Sequence, residues 1–182
     1  MYFDRPGKDN TDQVLALAAG RAKALSINEV VVATTTGDTA NRAVEIFDGP
    51  KITAVTYHSG FKEPFKNEMS ADGRAELQNK GVTVVAASHA LSGVERAIAN
   101  KHSGVYPVLI IADTLRLFGQ GIKVAVEVSV MAADAGALSG NDIIAIGGSG
   151  RGADAALVLK PAHQNNFFDM RIREIICKPR NF

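Results

Sequence analysis

The stretch Thr34–Thr39 (sequence TTTGDT) combines residue types that bind anions. It follows the β-branched run Val30–Val32 and precedes a helical pattern that begins near Ala40. A strand, a tight turn and a helix start expose backbone N–H groups, the hydroxyls add donors, and the helix N-terminus carries partial positive charge. The stretch therefore predicts a phosphate site, and the alternative is that Asp38 or Thr39 only caps the helix.

A second glycine-rich stretch, Gly147–Gly152 (sequence GGSGRG), follows another apolar run. Four glycines in six residues exceed what one turn needs. They would let the backbone approach a phosphate closely, with Arg151 as a charge partner. The alternative is a tight connection between strands. The spacing differs from the dinucleotide-binding fingerprint, and a strand rather than a helix is predicted to follow.

Two of the four histidines, His58 and His89, follow predicted strands. They could act as general acids or bases or donate to a ligand, or they could serve only loop structure. Without a clustered carboxylate or thiol they make a weak case for a metal site, and none is predicted. Phe61 and Phe65 lie in the long loop after His58, where they could stack on a flat ring or anchor the loop.

Two further side chains have chemistry to offer, Glu127 and Cys177. Glu127 stands in a helical run of Val, Ala and Met, where it could be a site acid, a salt-bridge partner or part of one exposed stripe. The exposed stripe is the favoured interpretation. Cys177 is expected to be a small core residue rather than a nucleophile.

Composition excludes several classes of protein. The 182 residues carry a formal net charge of +1, so no overall field favours nucleic acid or an acidic membrane as a partner. A single cysteine rules out a disulfide framework and a cysteine-based zinc cluster, and a cytoplasmic location is the simplest expectation. The polar segment Met1–Asn10 lacks the apolar core of a signal peptide. Charged residues interrupt the apolar region Val105–Leu138, which favours buried helices over a membrane span.

The elements that must position these residues alternate along the chain. Helices are predicted over residues 10–25, 40–47, 71–80, 93–100, 107–118 and 122–137, and strands over 29–34, 52–57, 82–86, 142–146, 155–159 and 172–177, the last two antiparallel. This order predicts one domain, residues 1–182, with a three-layer α/β/α architecture around a mostly parallel sheet. The polar loops after the parallel strands would then meet at one edge of the sheet.

With its TTTGDT turn the chain resembles the C-terminal α/β domain of pyruvate kinase, whose first strand leads into a Thr-x-Ser/Thr-Gly-x-Ser/Thr turn. In many pyruvate kinases that turn holds a phosphate of the allosteric sugar bisphosphate. Three further segments resemble a narrower family of small stand-alone archaeal and bacterial proteins with the same fold. These segments are residues 2–11, residues 88–93, and the ending from Pro161-Ala162-His163 to Lys178-Pro179-Arg180.

The resemblance implies a sheet of order 3-2-1-4-5 with an antiparallel last strand. The loops Thr35–Thr39 and Gly147–Gly152 would then face one crevice. The barrel domain of pyruvate kinase is absent, so pyruvate kinase activity is not implied. Asp38 stands where the kinases often have a basic residue, which favours a monophosphate or a ribose-bearing ligand over a bisphosphate.

The sequence thus predicts a binding domain for a phosphorylated small molecule, with flavin mononucleotide (FMN) as the best single candidate cofactor. The alternatives are an enzyme that uses His89 or His58 as acid and base on a phosphorylated substrate, and a regulatory module that forms a homo-oligomer through the apolar helix Ile122–Ala137. The predicted ligand contacts are Thr35, Thr36, Gly37, Asp38, Thr39, His58, Ser59, Gly60, Phe61, Ser88, His89, Gly147, Gly148, Ser149, Gly150 and Arg151.

Overall fold

The computed structural model describes residues 1–182 as one seven-stranded sheet with six α-helices. The strands are β1 (Tyr2–Phe3), β2 (Glu29–Ala33), β3 (Lys51–Thr56), β4 (Thr83–Ala86), β5 (Ile143–Gly147), β6 (Ala155–Lys160) and β7 (Arg171–Pro179). The helices are α1 (Thr11–Leu25), α2 (Asp38–Ile46), α3 (Ala71–Asn79), α4 (Gly93–His102), α5 (Pro107–Arg116) and α6 (Gln120–Asp134). Short 3-10 turns cover Lys8–Asn10 and Gln164–Asp169.

The sheet has the strand order β1-β7-β6-β5-β2-β3-β4. Its central strand β2 pairs in parallel with β3 and with β5, and β4 extends the parallel part beyond β3. Strand β6 is antiparallel to both of its neighbours, and β1 runs parallel to β7 at the edge. The predicted five-strand order therefore lies inside a sheet of seven. Strand β1 was not predicted, because two residues are too few to show a period.

Helices cover both faces of the sheet because the side chains of its strands alternate between two cores. Along β2, Val30 and Val32 belong to one core, to which α1 and α2 contribute. Val31 points into the other core, which is built mainly on α6. The sequence of a strand that is buried on both faces is a nearly continuous apolar run, which is why residues 29–34 were predicted as a central strand.

Helix α6 is buried along nearly its whole length, as its apolar sequence predicted. It packs on β5, β2 and β6 within the same chain, so it does not offer the exposed surface for self-association that one sequence hypothesis gave it. The helix begins at Gln120 rather than at Ile122, and the glycine that precedes it, Gly119, has φ 115°.

Two glycines let α6 approach the sheet closely. An ideal Cβ built on Gly147, the last residue of β5, would lie 2.6 Å from the backbone nitrogen of Ala125 and closer still to the carbonyl oxygen of Gly121. A Cβ on Gly121 would lie 2.8 Å from the Cβ of Ala155. Gly147 is therefore required for packing.

No helix of the chain combines the length and the apolar character needed to cross a bilayer.

Candidate functional site

Two adjoining cavities lie at the carboxyl edge of the parallel strands, where the exit loops were predicted to meet. We call them the outer pocket, with a volume of about 260 Å³, and the inner pocket, with a volume of about 430 Å³. Both are lined by Thr34, Thr35, Thr39 and Gly152, so they share a wall formed by the exits of β2 and β5. This is the position at which ligands bind in open α/β sheets.

The turn between β2 and α2 forms the floor of the outer pocket. Gly37 has φ 110° and stands immediately before α2, and its N–H donates to Oγ1 of Thr34 at 3.1 Å. Oγ1 of Thr36 donates to Oδ2 of Asp38 at 2.9 Å. No side chain caps α2, so neither Asp38 nor Thr39 has the capping role that was the alternative interpretation. The first-turn N–H groups of α2 are left available to an anion.

Polar residues alone line the outer pocket, and three of them are cationic: Lys8, Arg42 and Arg151. Arg42 forms an ion pair with Asp12. Lys8 and Arg151 form none, so their full charge is available to a ligand. Asp38 is the one carboxylate in the lining. The balance of charge therefore favours an anion.

The buried carboxylate of Asp154 fixes the wall between β5 and the N-terminal segment. Its Oδ2 accepts from the N–H of Gly7 at 3.0 Å and from the N–H of Ser149 at 3.1 Å. Burial raises the pKa of Asp154, and these hydrogen bonds act in the opposite direction. A Cβ on Gly152 would lie 2.6 Å from the Cα of Lys8, so the glycine allows the close approach that places Lys8 beside the pocket.

An aromatic cluster forms one wall of the inner pocket, at the exits of β3 and β4. The ring centroids of Tyr57 and Phe61 are 4.1 Å apart, and those of Phe61 and His89 are 4.9 Å apart. His58 lies behind them, with its centroid 5.4 Å from that of His89. Phe61 thus faces the cavity, whereas Phe65 is 97% exposed, so it lines neither the inner nor the outer pocket and does not anchor the loop.

The surroundings of His89 lower the pKa of its imidazole, which favours the neutral form. Burial is the main cause that lowers its pKa, and the positive charges of Lys123 and Arg96 act in the same direction, while Glu127 opposes them. The Nδ1 atom of His89 is buried and has no hydrogen-bond partner within the chain. A buried ring nitrogen without a partner is costly, unless a ligand or a water molecule bonds to it.

A buried ion pair on α6 lies at the base of the inner pocket. Lys123 and Glu127 are only 5% and 3% exposed, and the Nζ of Lys123 donates to Oε2 of Glu127. The other carboxylate oxygen accepts from the N–H of Leu91 at 3.0 Å. The expectation that Glu127 belongs to an exposed stripe is wrong, because α6 is covered on all sides and has no such stripe. Burial lowers the pKa of Lys123.

Two arginines complete the inner lining, Arg96 from α4 and Arg116 from α5. Arg116 donates from Nε to Oε1 of Gln120 at 2.8 Å and from Nη1 to Oδ1 of Asp113 at 2.6 Å. Arg96 forms no hydrogen bond or ion pair through its side chain. Sequence analysis missed both arginines, as it missed Lys8, Arg42 and Lys123, because each comes from a segment other than the predicted strand exits.

The predicted contacts divide into two groups. Those that line one or both pockets are Thr35, Thr36, Asp38, Thr39, Phe61, His89, Gly148, Gly150 and Arg151. Those that line neither are Gly37, His58, Ser59, Gly60, Ser88, Gly147 and Ser149. Within the second group, Gly37 and Gly147 serve the backbone geometry described above, and His58 binds back to its own loop, where its Nδ1 lies 2.8 Å from the carbonyl oxygen of Ser59.

The geometry supports neither a nucleophilic role for the cysteine nor a metal site. Cys177 is fully buried, and burial raises the pKa of its thiol to about 11, as befits a core residue rather than a nucleophile. No three His, Cys, Asp or Glu side chains are grouped so that they could hold a metal ion.

Comparison with known proteins gives one family. Residues 12–159 match the family described as pyruvate kinase, alpha/beta domain. Among solved structures, the chain is similar to the pyruvate kinase of Cryptosporidium parvum, at 16% identity over 75% of this chain and 20% of that one, with a TM-score of 0.36. The complex of that enzyme with ADP matches at 16% identity over 93% of this chain and 24% of the other, with a TM-score of 0.40. The chain therefore spans about a fifth to a quarter of these kinases.

Proposed function

The chain belongs to the family of the pyruvate kinase alpha/beta domain, and from that premise we propose that it binds a small molecule that carries one phosphate and a planar ring. The observation that supports this most is the joining of two unlike cavities. A wholly polar, cationic pocket opens, across a shared threonine wall, into a larger pocket with an aromatic side. One ligand could therefore place a phosphate in the first and a ring in the second.

The donors and the balance of charge in the outer pocket suit a single phosphate. The hydroxyls of Thr35 and Thr39 and the free first-turn N–H groups of α2 supply donors. Lys8 and Arg151 supply positive charge, and neither forms an ion pair with a carboxylate. Asp38 reduces the surplus of charge, which favours a single phosphate over two at this position.

The inner pocket suits a planar ring. Its volume of about 430 Å³ falls within the range typical of small-molecule sites. Tyr57, Phe61 and His89 offer ring faces and edges for stacking, and the unpartnered Nδ1 of His89 needs a hydrogen bond. FMN, which joins a phosphate to an aromatic ring through a flexible chain, is our candidate for the ligand.

The test is a comparison of FMN with riboflavin, which has the ring and lacks the phosphate. We expect FMN to bind, and at a hundred times its dissociation constant to stabilise the fold by about 2.7 kcal/mol. Arg151→Gln is expected to weaken FMN binding by about 1.5–3 kcal/mol, roughly 10- to 150-fold, because a charge-assisted bond is lost. Isothermal titration calorimetry and thermal unfolding measure both effects.

Arg180→Gln is the matched control, since Arg180 is exposed and lines neither pocket. It should leave FMN affinity unchanged. Equal affinity for riboflavin and FMN would overturn the role of the outer pocket. Failure of FMN to bind, combined with binding of another phosphorylated ring compound, would overturn only the choice of FMN.

A second function, catalysis on a phosphorylated substrate, is favoured by the position of His89. The carboxylate of Glu127 is near enough to affect the pKa of this imidazole, which lines the cavity. A neutral imidazole can act as a general base. Turnover would then fall as the pH drops through the pKa of His89, which burial lowers from the ordinary value of an imidazole, and would be level above it.

We expect His89→Gln to abolish such turnover while ligand binding persists, and His102→Gln, at an exposed position on α4, to change neither. A turnover screen over phosphoesters and phosphorylated carbonyl compounds, with pH profiles of any hit, measures this. Full activity of His89→Gln would overturn the role of the imidazole.

A further inference from the structure

The lining of the inner pocket contains more cationic side chains than carboxylates. Arg96, Arg116 and Lys123 line it together with one carboxylate, that of Glu127. Asp113, which pairs with Arg116, is outside the lining. The two arginines lie near enough to Lys123 for their charges to oppose its protonation. Like charges held together in a partly buried site repel one another, and a bound anion would relieve that repulsion.

Lys123 retains hydrogen-bonding capacity that the protein itself does not use. An ammonium group has three N–H donors, and Lys123 uses one of them on Glu127. Both oxygens of Glu127 are already engaged, by Lys123 and by the N–H of Leu91. The remaining donors of Lys123 belong to a side chain that is buried except where it lines the pocket. Buried donors of this kind are normally satisfied.

Arg116 also has a hydrogen-bond donor that the protein itself does not use. Its Nε and Nη1 are engaged by Gln120 and Asp113, which fix the guanidinium in place, while its Nη2 makes no hydrogen bond. Arg96 is unengaged altogether. The inner pocket therefore repeats the charge pattern of the outer one, where three cations also line a cavity beside a single carboxylate.

We infer that Arg96, Arg116 and Lys123 form a second anion site, which holds an acidic or electron-rich group at the end of the ligand remote from its phosphate. The inference deepens the proposed function and depends on it for the orientation of the ligand. The class of ligand is then a phosphorylated ring compound with an acidic or electron-rich far end. The carbonyl edge of a flavin ring is an electron-rich group of this kind, and a ring carboxylate is a fully charged one.

Crystals soaked in selenate locate the anion sites without any assumption about the ligand. We expect anomalous peaks in both pockets of the native protein. In Arg116→Gln, and in the double variant Lys123→Met with Glu127→Gln, the inner peak should be lost and the outer peak retained. The glutamine at position 127 keeps an oxygen acceptor for the N–H of Leu91, so the double variant preserves that hydrogen bond and leaves no buried charge unpaired.

A matched pair of nucleotides tests the ligand class in solution. 5-Carboxyuridine 5′-monophosphate carries a carboxylate on the side of its ring away from the ribose, and uridine 5′-monophosphate lacks this group. We expect the native protein to prefer the acidic nucleotide by about tenfold or more, and Arg116→Gln to abolish the preference without weakening the uridine nucleotide. Calorimetry gives both affinities.

The outcomes separate this inference from the proposed function. An outer selenate peak without an inner one would overturn the second anion site and leave the phosphate site standing. An inner peak alone would overturn the proposed function. An inner peak that persists in Arg116→Gln and in the double variant would show an adventitious ion only, and equal affinity for two nucleotides that both bind would overturn the inferred ligand class.

Discussion

Replacement of Lys123 alone by methionine is expected to lower the free energy of unfolding by about 3–5 kcal/mol. The change leaves the carboxylate of Glu127 buried at 3% exposure without its cationic partner. The single remaining hydrogen bond, from the N–H of Leu91, is not enough to stabilise an isolated charge in the core. Urea denaturation, followed by circular dichroism, measures the loss.

The double variant Lys123→Met with Glu127→Gln is the control that isolates the unpaired charge. It removes both charges, preserves the acceptor for Leu91 and replaces the lysine by an apolar side chain of similar size. No buried charge remains, but the new amide N–H groups at position 127 lack an acceptor, so we expect a loss of about 1–3 kcal/mol, smaller than that of Lys123→Met alone. If Lys123→Met alone were as stable as the native protein, the carboxylate would have to reach water, and the buried pair would be disproved.

That ion pair also shows why one sequence-based expectation about the site was wrong. Glu127 was assigned to an exposed stripe because a lone carboxylate among apolar residues usually faces water. Lys123, four residues earlier on the same face of α6, was the available contrary signal, since residues at this spacing are neighbours on a helix. A charge pair within an otherwise apolar helix is compatible with burial on all sides, whereas a lone charge is not.

The fold was predictable where the sequence carries a strong local pattern. Continuous apolar runs such as Glu29–Ala33 marked the central strands, and the family resemblance supplied the order in which five of them pair. The sheet also includes β1, whose two residues pair with Lys178 and Pro179 at the far end of the chain. Such a pairing depends on contacts between segments near the two termini, so the local sequence pattern does not predict it.

The sequence predicted only those pocket residues that directly follow a strand. The Thr34–Thr39 turn and Arg151 were found because they follow strands directly. Lys8 reaches the same pocket only because Gly152 permits close contact with the N-terminal segment. Arg96 and Arg116 reach the inner pocket through the packing of α4 and α5. These positions depend on tertiary packing, so residue type and spacing did not distinguish them from ordinary surface cations.

Replacement of Gly147 by alanine is expected to destabilise the protein by about 3 kcal/mol, at the upper end of the usual cost of overpacking. The added methyl group would lie 2.6 Å from the backbone nitrogen of Ala125 and closer still to the carbonyl oxygen of Gly121. Both are backbone atoms of α6, so no side-chain rotation relieves the clash. The helix must move away from β5, and the packing of the core that they share is lost.

Gly20→Ala is the matched control, because it adds the same methyl group within α1 at a position where no atom outside the local helix backbone lies within 4 Å of the new Cβ. It should stabilise the protein by about 0.5–1 kcal/mol, since alanine loses less backbone entropy than glycine in a helix. Urea denaturation of both variants should therefore give shifts of opposite sign. A Gly147→Ala protein with native stability and weakened ligand binding would contradict the packing role and restore the ligand contact that the glycine-rich sequence first suggested.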